Sequence, residues 1–158
     1  MTFNRTTFFV TFLTLLGCGA ANDRDINKVE LTELSGTAID LSEYQGKPVF
    51  INFWATWCKP CIQEMPTIAE AQKLHEDVIF LLASNEEPSQ IEKFIKRHDY
   101  DFHYVHLKNM EALNIRALPT TFIFNPEGKL KYSETGFRVW NDPANTQLID
   151  SITNDYEK

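Results

Sequence analysis

The sequence predicts an α/β sandwich built on a mixed central sheet, and three observations carry that prediction. Val49-Phe50-Ile51-Asn52-Phe53-Trp54 and the run from Val78 to Ala83 are apolar almost throughout, the pattern of strands buried on both faces. A stretch with helical spacing follows each of them. Further along, Thr120 to Phe124 and Leu130 to Thr135 flank Asn125-Pro126-Glu127-Gly128, a turn signal that predicts an antiparallel pair. The chain has 158 residues, room for one such domain. It is 43% hydrophobic with 12 Phe, enough for a real core and too apolar for a disordered chain. The formal net charge of -7 and the lack of a Lys/Arg cluster exclude nucleic-acid binding.

The elements follow in order. Met1 to Gly17 reads as a targeting segment: Arg5 gives a positive start, and Phe8 to Leu16 an apolar core. That core is shorter than the ~20 residues a spanning helix needs. It ends in Leu15-Leu16-Gly17-Cys18, which resembles the lipobox of bacterial lipoproteins, and this implies cleavage before Cys18 and a lipid on its thiol. Residues 18–27 then form a lipidated cysteine and polar tether, and 28–158 the folded domain. Val29 to Leu34 and Thr37 to Ile39, around Ser35-Gly36, predict a hairpin, and Leu41 to Tyr44 a short helical turn. After the strand Val49–Trp54 comes a helix from near Cys58 to about His75, with Ile62, Met65, Ile68 and Ala69 facing inward. Pro66 predicts a kink in it. The strand Val78–Ala83 leads through Glu86-Glu87, read as a solvated loop, into a helix from Pro88 to about His98 that buries Ile91, Phe94 and Ile95. Phe102 to Leu107 is another strand and Met110 to Leu113 a short helix. The antiparallel pair follows, and Pro143 to Tyr156 is the last helix, packing through Leu148, Ile149 and Ile152. Trp140 reads as an exposed docking residue.

The chemistry sits in Trp57-Cys58-Lys59-Pro60-Cys61. A Cys-x-x-Cys where a strand gives way to a helix places the first thiol at the helix N-terminus, whose partial positive charge stabilises a thiolate. Cys58 is then the exposed nucleophile. Cys61, one turn deeper, is the thiol that resolves a mixed disulfide. Pro60 suits the first helical turn because its missing N–H has no partner there in any case. A purely structural bridge over so short a loop would add little. A zinc site would need more ligands than this motif supplies, and His103-x-x-His106 has the wrong spacing for one.

Leu34-Ser35-Gly36 through Leu41, Gly46-Lys47-Pro48, Phe53 to Cys61, Glu64-Met65-Pro66 and Leu118-Pro119-Thr120-Thr121-Phe122 together resemble the TlpA/ResA-type thioredoxin-like family. The resemblance implies a thioredoxin-like fold with an N-terminal β-hairpin and a helix–strand insertion over Pro88 to Leu107. It implies a membrane-tethered, extracytoplasmic thiol-disulfide oxidoreductase of the bacterial cell envelope, on the periplasmic side in a Gram-negative cell. Its partners would be disulfide-containing envelope proteins, cytochrome c maturation among their uses, and a membrane-embedded electron donor. It needs no cofactor beyond the Cys58–Cys61 disulfide and no metal, and a monomer suffices. By the same resemblance Pro119 is cis and faces the disulfide, with Leu118 and Trp57 contacting substrate and Lys59 and Pro60 flanking the sulfurs.

Thioredoxin's buried Asp is replaced by Asn52, which cannot accept a proton, so a base for Cys61 must come from elsewhere. Glu64, one turn beyond Cys61 on the same helix face, is the candidate, against the plainer reading of a solvated carboxylate. Trp57 is expected to cover the Cys58 sulfur and Trp54 to pack in the core. His75 and His98 read as helix-end residues. A disulfide oxidant or isomerase, and a metal-delivery module on the same scaffold, stay open as alternatives.

Overall fold

The structure, a computed structural model, describes residues 25–155. The targeting segment and Cys18 lie outside the described residues. Six strands, β1 (Leu31–Thr32), β2 (Val49–Phe53), β3 (Ile79–Ser84), β4 (His103–Leu107), β5 (Thr120–Phe124) and β6 (Leu130–Thr135), form one sheet in the order β1-β4-β3-β2-β5-β6. Three helices accompany it, α1 (Lys59–Leu74), α2 (Pro88–Ile95) and α3 (Pro143–Thr153). The sheet is mixed, as the sequence predicts. β2 pairs in parallel with β3, and β3 with β4; β2 with β5, β5 with β6 and β1 with β4 are antiparallel.

β2 lies at the centre and all five of its residues are buried, which is why its sequence does not alternate. Phe50, Phe80, Leu82, Tyr104 and Ile123 turn to one face, where α1 contributes Met65, Ile68 and Ala71, α2 Ile91 and Phe94, and α3 Ile149 and Ile152. Val49, Ile51, Phe53, Leu81, Val105, Phe122 and Phe124 turn to the other. No α-helix covers that second face among the described residues. Ile26 and Leu41, from the single 3-10 turns Ile26–Lys28 and Leu41–Tyr44, and Val29, Leu113 and Ile115, from irregular chain, fill it instead; the turn at Leu41–Tyr44 lies where the sequence predicts it.

The strand pairings place the ends that matter together. Phe53, the last residue of β2, lies opposite Ala83 and Thr120. The chain leaving β2 toward α1, the loop after β3 and the entry into β5 therefore share one edge of the sheet. That edge is the usual place for a ligand site in such sheets.

Several elements differ from the sequence expectation. The hairpin shrinks to the two-residue β1 and a single bridge from Thr32 to Ala38, held by the Ile39 N–H to the Leu31 carbonyl at 3.0 Å and the Glu33 N–H to the Thr37 carbonyl at 2.8 Å, while the other side of β1 pairs with β4. Met110 to Leu113 is a run of turns, ended by Asn114 at φ 56° in the left-handed region. The folded domain starts before the expected boundary at residue 28: Ile26 is buried, and its N–H donates to the Gly128 carbonyl at 2.8 Å. α1 runs unbroken through Pro66, whose ring faces solvent, and its buried residues include Cys61 and Glu64, while Ile62 and Ala69 are half-buried. α2 ends at Ile95 and α3 at Thr153. Trp140 is 1% exposed and packs edge-on against Phe50 with ring centroids 4.8 Å apart, so it is a core residue and no docking site.

Candidate active site

Cys58 is the N-cap of α1, with extended backbone (φ -80°, ψ 94°) where the strand exit turns into the helix. Its carbonyl accepts the Ile62 N–H at 3.1 Å, and its Sγ accepts the Cys61 N–H at 3.3 Å. A sulfur is thus doing what a Ser or Asp side chain usually does at this position. The first-turn N–H groups and the helix dipole favour negative charge there, so a thiolate on Cys58 is the stabilised form. Cys58 and Cys61 are joined as a disulfide with Cα atoms 5.3 Å apart. Pro60 lies in the first turn, and Lys59 and Pro60 are exposed. Cys58 itself is only 4% exposed, more buried than the sequence suggests. In the bonded state its sulfur folds back onto Cys61, and both belong to the core with Trp54 and Ala55.

Glu64, one turn beyond Cys61, is 0% exposed, and the reading as a solvated carboxylate fails. Oε1 accepts from the Asn52 amide at 2.6 Å, and Oε2 from the Arg138 backbone N–H at 3.0 Å. The Asn52 amide also donates to Thr121 Oγ1, its partner across the β2–β5 pair, at 3.1 Å. Burial pushes the Glu64 carboxyl up from 4.5 to about 7, against the Arg138 and Asn52 hydrogen bonds, which pull it down. A carboxyl held there exchanges a proton near neutrality. Asn52 Oδ1 is buried and has no hydrogen-bond partner among the described residues. With the amide turned over, this oxygen accepts a hydrogen bond from the O–H of a protonated Glu64, and the proton stays on the carboxyl.

The chain around the site is anchored from both sides. Thr67 Oγ1 donates to the Glu64 carbonyl and accepts the Trp140 N–H, tying the 136–140 segment to α1. The Arg138 guanidinium pairs with Glu134 and donates to Asn145 Oδ1 at 2.9 Å, which fixes the backbone N–H that reaches Glu64. On the other side Glu86, expected to be merely solvated, accepts from the Thr56 N–H at 2.6 Å and the Thr56 hydroxyl at 2.7 Å. Neither Arg138 nor Glu86 stands out in the sequence. Their partners are 74 and 30 residues away, and a carboxylate in the loop after β3, at the ligand edge of the sheet, was the one available clue.

The Leu118–Pro119 peptide bond is cis, and Pro119 is buried directly before β5, at the edge that carries the dithiol. Leu118 is half-buried, and the Pro119 carbonyl accepts the Gly136 N–H at 2.8 Å. Trp57 is 73% exposed, so most of its ring lies in solvent. Trp54 packs in the core against Phe94 and Tyr104, as expected. His75 caps the C-terminus of α1, and the His98 ring lies tilted against Phe94 with centroids 3.9 Å apart. His103 and His106 are three residues apart on β4 and so point to opposite faces. Among the described residues no three His, Cys, Asp or Glu side chains are grouped to hold a metal ion.

Comparison with known proteins gives the same site a context. Residues 20–148 match the family model described as Redoxin. The thiol-disulfide oxidoreductase ResA of Geobacillus kaustophilus is 40% identical over 118 residues, covering 71% of this chain and 68% of that protein. Among solved structures, the pneumococcal exposed lipoprotein thioredoxin Etrx1 of Streptococcus pneumoniae is 28% identical, with a TM-score of 0.62 over 77% of this chain and 97% of that one. A thiol:disulfide interchange protein of the thioredoxin family from Chlorobium tepidum superposes with a TM-score of 0.67 over 84% of this chain and 99% of that one; at 21% identity it speaks for the fold alone.

Proposed function

The chain belongs to the Redoxin family, among the TlpA/ResA-type thioredoxin-like thiol-disulfide oxidoreductases, and from that membership we propose that it reduces disulfides in proteins of the bacterial cell envelope. The observation that carries the reading is a dithiol at a helix N-terminus with a buried, hydrogen-bonded carboxyl one turn beyond it.

In the reduced protein the Cys58 thiolate attacks one sulfur of a substrate disulfide. A mixed disulfide forms, and the other substrate sulfur leaves as a thiolate. Glu64, as carboxylate, takes the proton of the Cys61 thiol, and Cys61 attacks the Cys58 sulfur. The mixed disulfide breaks, the second substrate thiolate leaves, and the departing thiolates take up protons. Two electrons pass to the substrate, and Cys58–Cys61 becomes the disulfide. Asn52 serves both states of Glu64, donating to the carboxylate and accepting from the acid. Leu118 and Pro119, with Trp57 and the flanking Lys59 and Pro60, form the contact surface for the substrate segment around its cysteines.

The domain works outside the cytoplasm, held to the membrane by a lipid on Cys18, with preparation of apocytochrome c as one use. A membrane-embedded donor returns the electrons to Cys58–Cys61. The lipobox-like Leu15 to Cys18 supports this placement, as does the likeness to an exposed lipoprotein thioredoxin. The test is a Cys61→Ala variant, which can form the mixed disulfide and cannot resolve it. Expressed in its native envelope, it is expected to be recovered joined through Cys58 to envelope proteins, identified by mass spectrometry. Recovery without any such adduct would count against the reading.

A further inference from the structure

The loop between β2 and α1 has to deliver Cys58 to the first turn of the helix, and its own backbone makes few of the bonds that would hold it. Cys58 N–H bonds back to the Ala55 carbonyl at 3.0 Å, and Trp54 N–H to the Ala83 carbonyl at 3.1 Å. Between these two anchors lies Thr56, and both of its donors go to one side chain. Glu86 Oε2 takes the Thr56 N–H at 2.6 Å, and Oε1 takes the Thr56 hydroxyl at 2.7 Å. Glu86 is in turn held by Ser84, the last residue of β3, whose hydroxyl donates to Oε2 at 3.2 Å and accepts the Glu86 N–H at 3.2 Å. Ser84 is buried and Glu86 half-buried. Charge-assisted bonds of this length, both from one carboxylate to one residue, fix position in the way a bidentate clamp does.

We propose that Glu86 is a positioning residue for thiol-disulfide exchange: through Thr56 it clamps the loop two residues before Cys58 to the end of β3, holding the Cys58 sulfur at the N-terminus of α1. The inference rests on exchange at Cys58–Cys61. Glu86 touches neither sulfur nor substrate; it acts through Thr56, and so its effect belongs to the rate and ionisation of Cys58. Misplacing a reacting group by about 1 Å can slow a reaction about a hundredfold, so a smaller shift of the Cys58 sulfur is expected to cost about tenfold.

Four variants test this: Glu86→Ala, Glu86→Gln, Thr56→Val, and Glu86→Ala with Thr56→Val. Each is reduced and reacted with the small aromatic disulfide 5,5′-dithiobis(2-nitrobenzoate), following the second-order rate against pH. Glu86→Ala is expected to lose about tenfold in rate and the double variant no more than the worse single one, since the two residues act as a unit. Glu86→Gln keeps an oxygen for the Thr56 N–H and a donor for its hydroxyl. It is expected to keep at least half of the parental rate. Glu86→Ala and Glu86→Gln both lack the charge and differ only in the clamp. The midpoint of the rate–pH profile is therefore expected to lie higher in Glu86→Ala than in Glu86→Gln. If Glu86→Ala does not fold, Thr56→Val and Glu86→Gln carry the comparison. Glu86→Ala or Thr56→Val reacting within twofold of the parent, or losses that multiply in the double variant, would overturn the clamp alone. A reduced parent that fails to react with the probe would overturn exchange itself, and the clamp with it.

Discussion

Glu64 shows how far a single residue's role depends on where the fold puts it. A Glu three residues after a cysteine is visible in the sequence, but whether it is solvated depends on Asn52, Thr121 and Arg138, which are brought to it by β2, β5 and the 136–140 segment. Its carboxyl, raised from 4.5 to about 7, stays protonated in the folded chain over a window in which the unfolded chain has lost the proton. The stability this gives is present in full below the unfolded value and lost as pH rises through the folded one. Urea unfolding of the oxidised protein at pH 5 and pH 8 should therefore show a fall of about 2 to 3 kcal/mol that is missing in Glu64→Gln. Equal pH dependence in the two proteins would put the carboxyl back at its ordinary value. The tryptophans divide in the same way. Trp140→Ala should cost about 3 to 5 kcal/mol, since a fully buried ring leaves a cavity. Trp57→Ala should stay within about 0.5 kcal/mol, as expected for a side chain mostly in solvent. From sequence the two could not be ranked: Trp140 meets Phe50 and Tyr132 only in the folded chain.

At the scale of elements, the central strands were legible almost to the residue. β2 and β5, buried on both faces, and the exposed β6 lie where the apolar runs and the Asn125 to Gly128 turn predict them. α1 was legible as well, because the same Cys-x-x-Cys that signals the chemistry also signals a helix start. The face opposite the α-helices was legible only at the turn Leu41–Tyr44. It is covered by turns whose anchoring comes from single contacts, and such contacts have no periodicity to read. Gly128 is the clearest of them. Its φ of +76° is left-handed, and a Cβ there would lie 2.7 Å from Ile26 Cγ2. Gly128→Ala is expected to destabilise the domain by about 1 to 3 kcal/mol, through backbone strain and through displacement of Ile26 from the second face. Thermal unfolding measures it directly, and a variant as stable as the parent would show that the N-terminal turn is not part of the cooperative fold. The loop after β3 was misread for a related reason. Two adjacent glutamates look alike in sequence, and only the register of β3 against β2 brings Glu86, and not Glu87, to Thr56.

For the molecule as a whole, the fold positions one dithiol, one buried carboxyl and one cis-proline loop along a single edge of a six-stranded sheet. Family membership makes this a thiol-disulfide oxidoreductase. The direction of electron flow is a property of the whole site, because it depends on how much the helix terminus and its surroundings stabilise the Cys58 thiolate. The most direct measurement is the reduction potential of the Cys58–Cys61 couple. The domain from residue 19 onward would be equilibrated in graded thiol/disulfide buffers, with tryptophan fluorescence as the probe. A reductive role predicts a reversible two-electron couple at or below roughly −220 to −270 mV. A couple near roughly −120 mV would make the protein an oxidant and contradict that role. The absence of any reversible couple would contradict exchange at this site altogether.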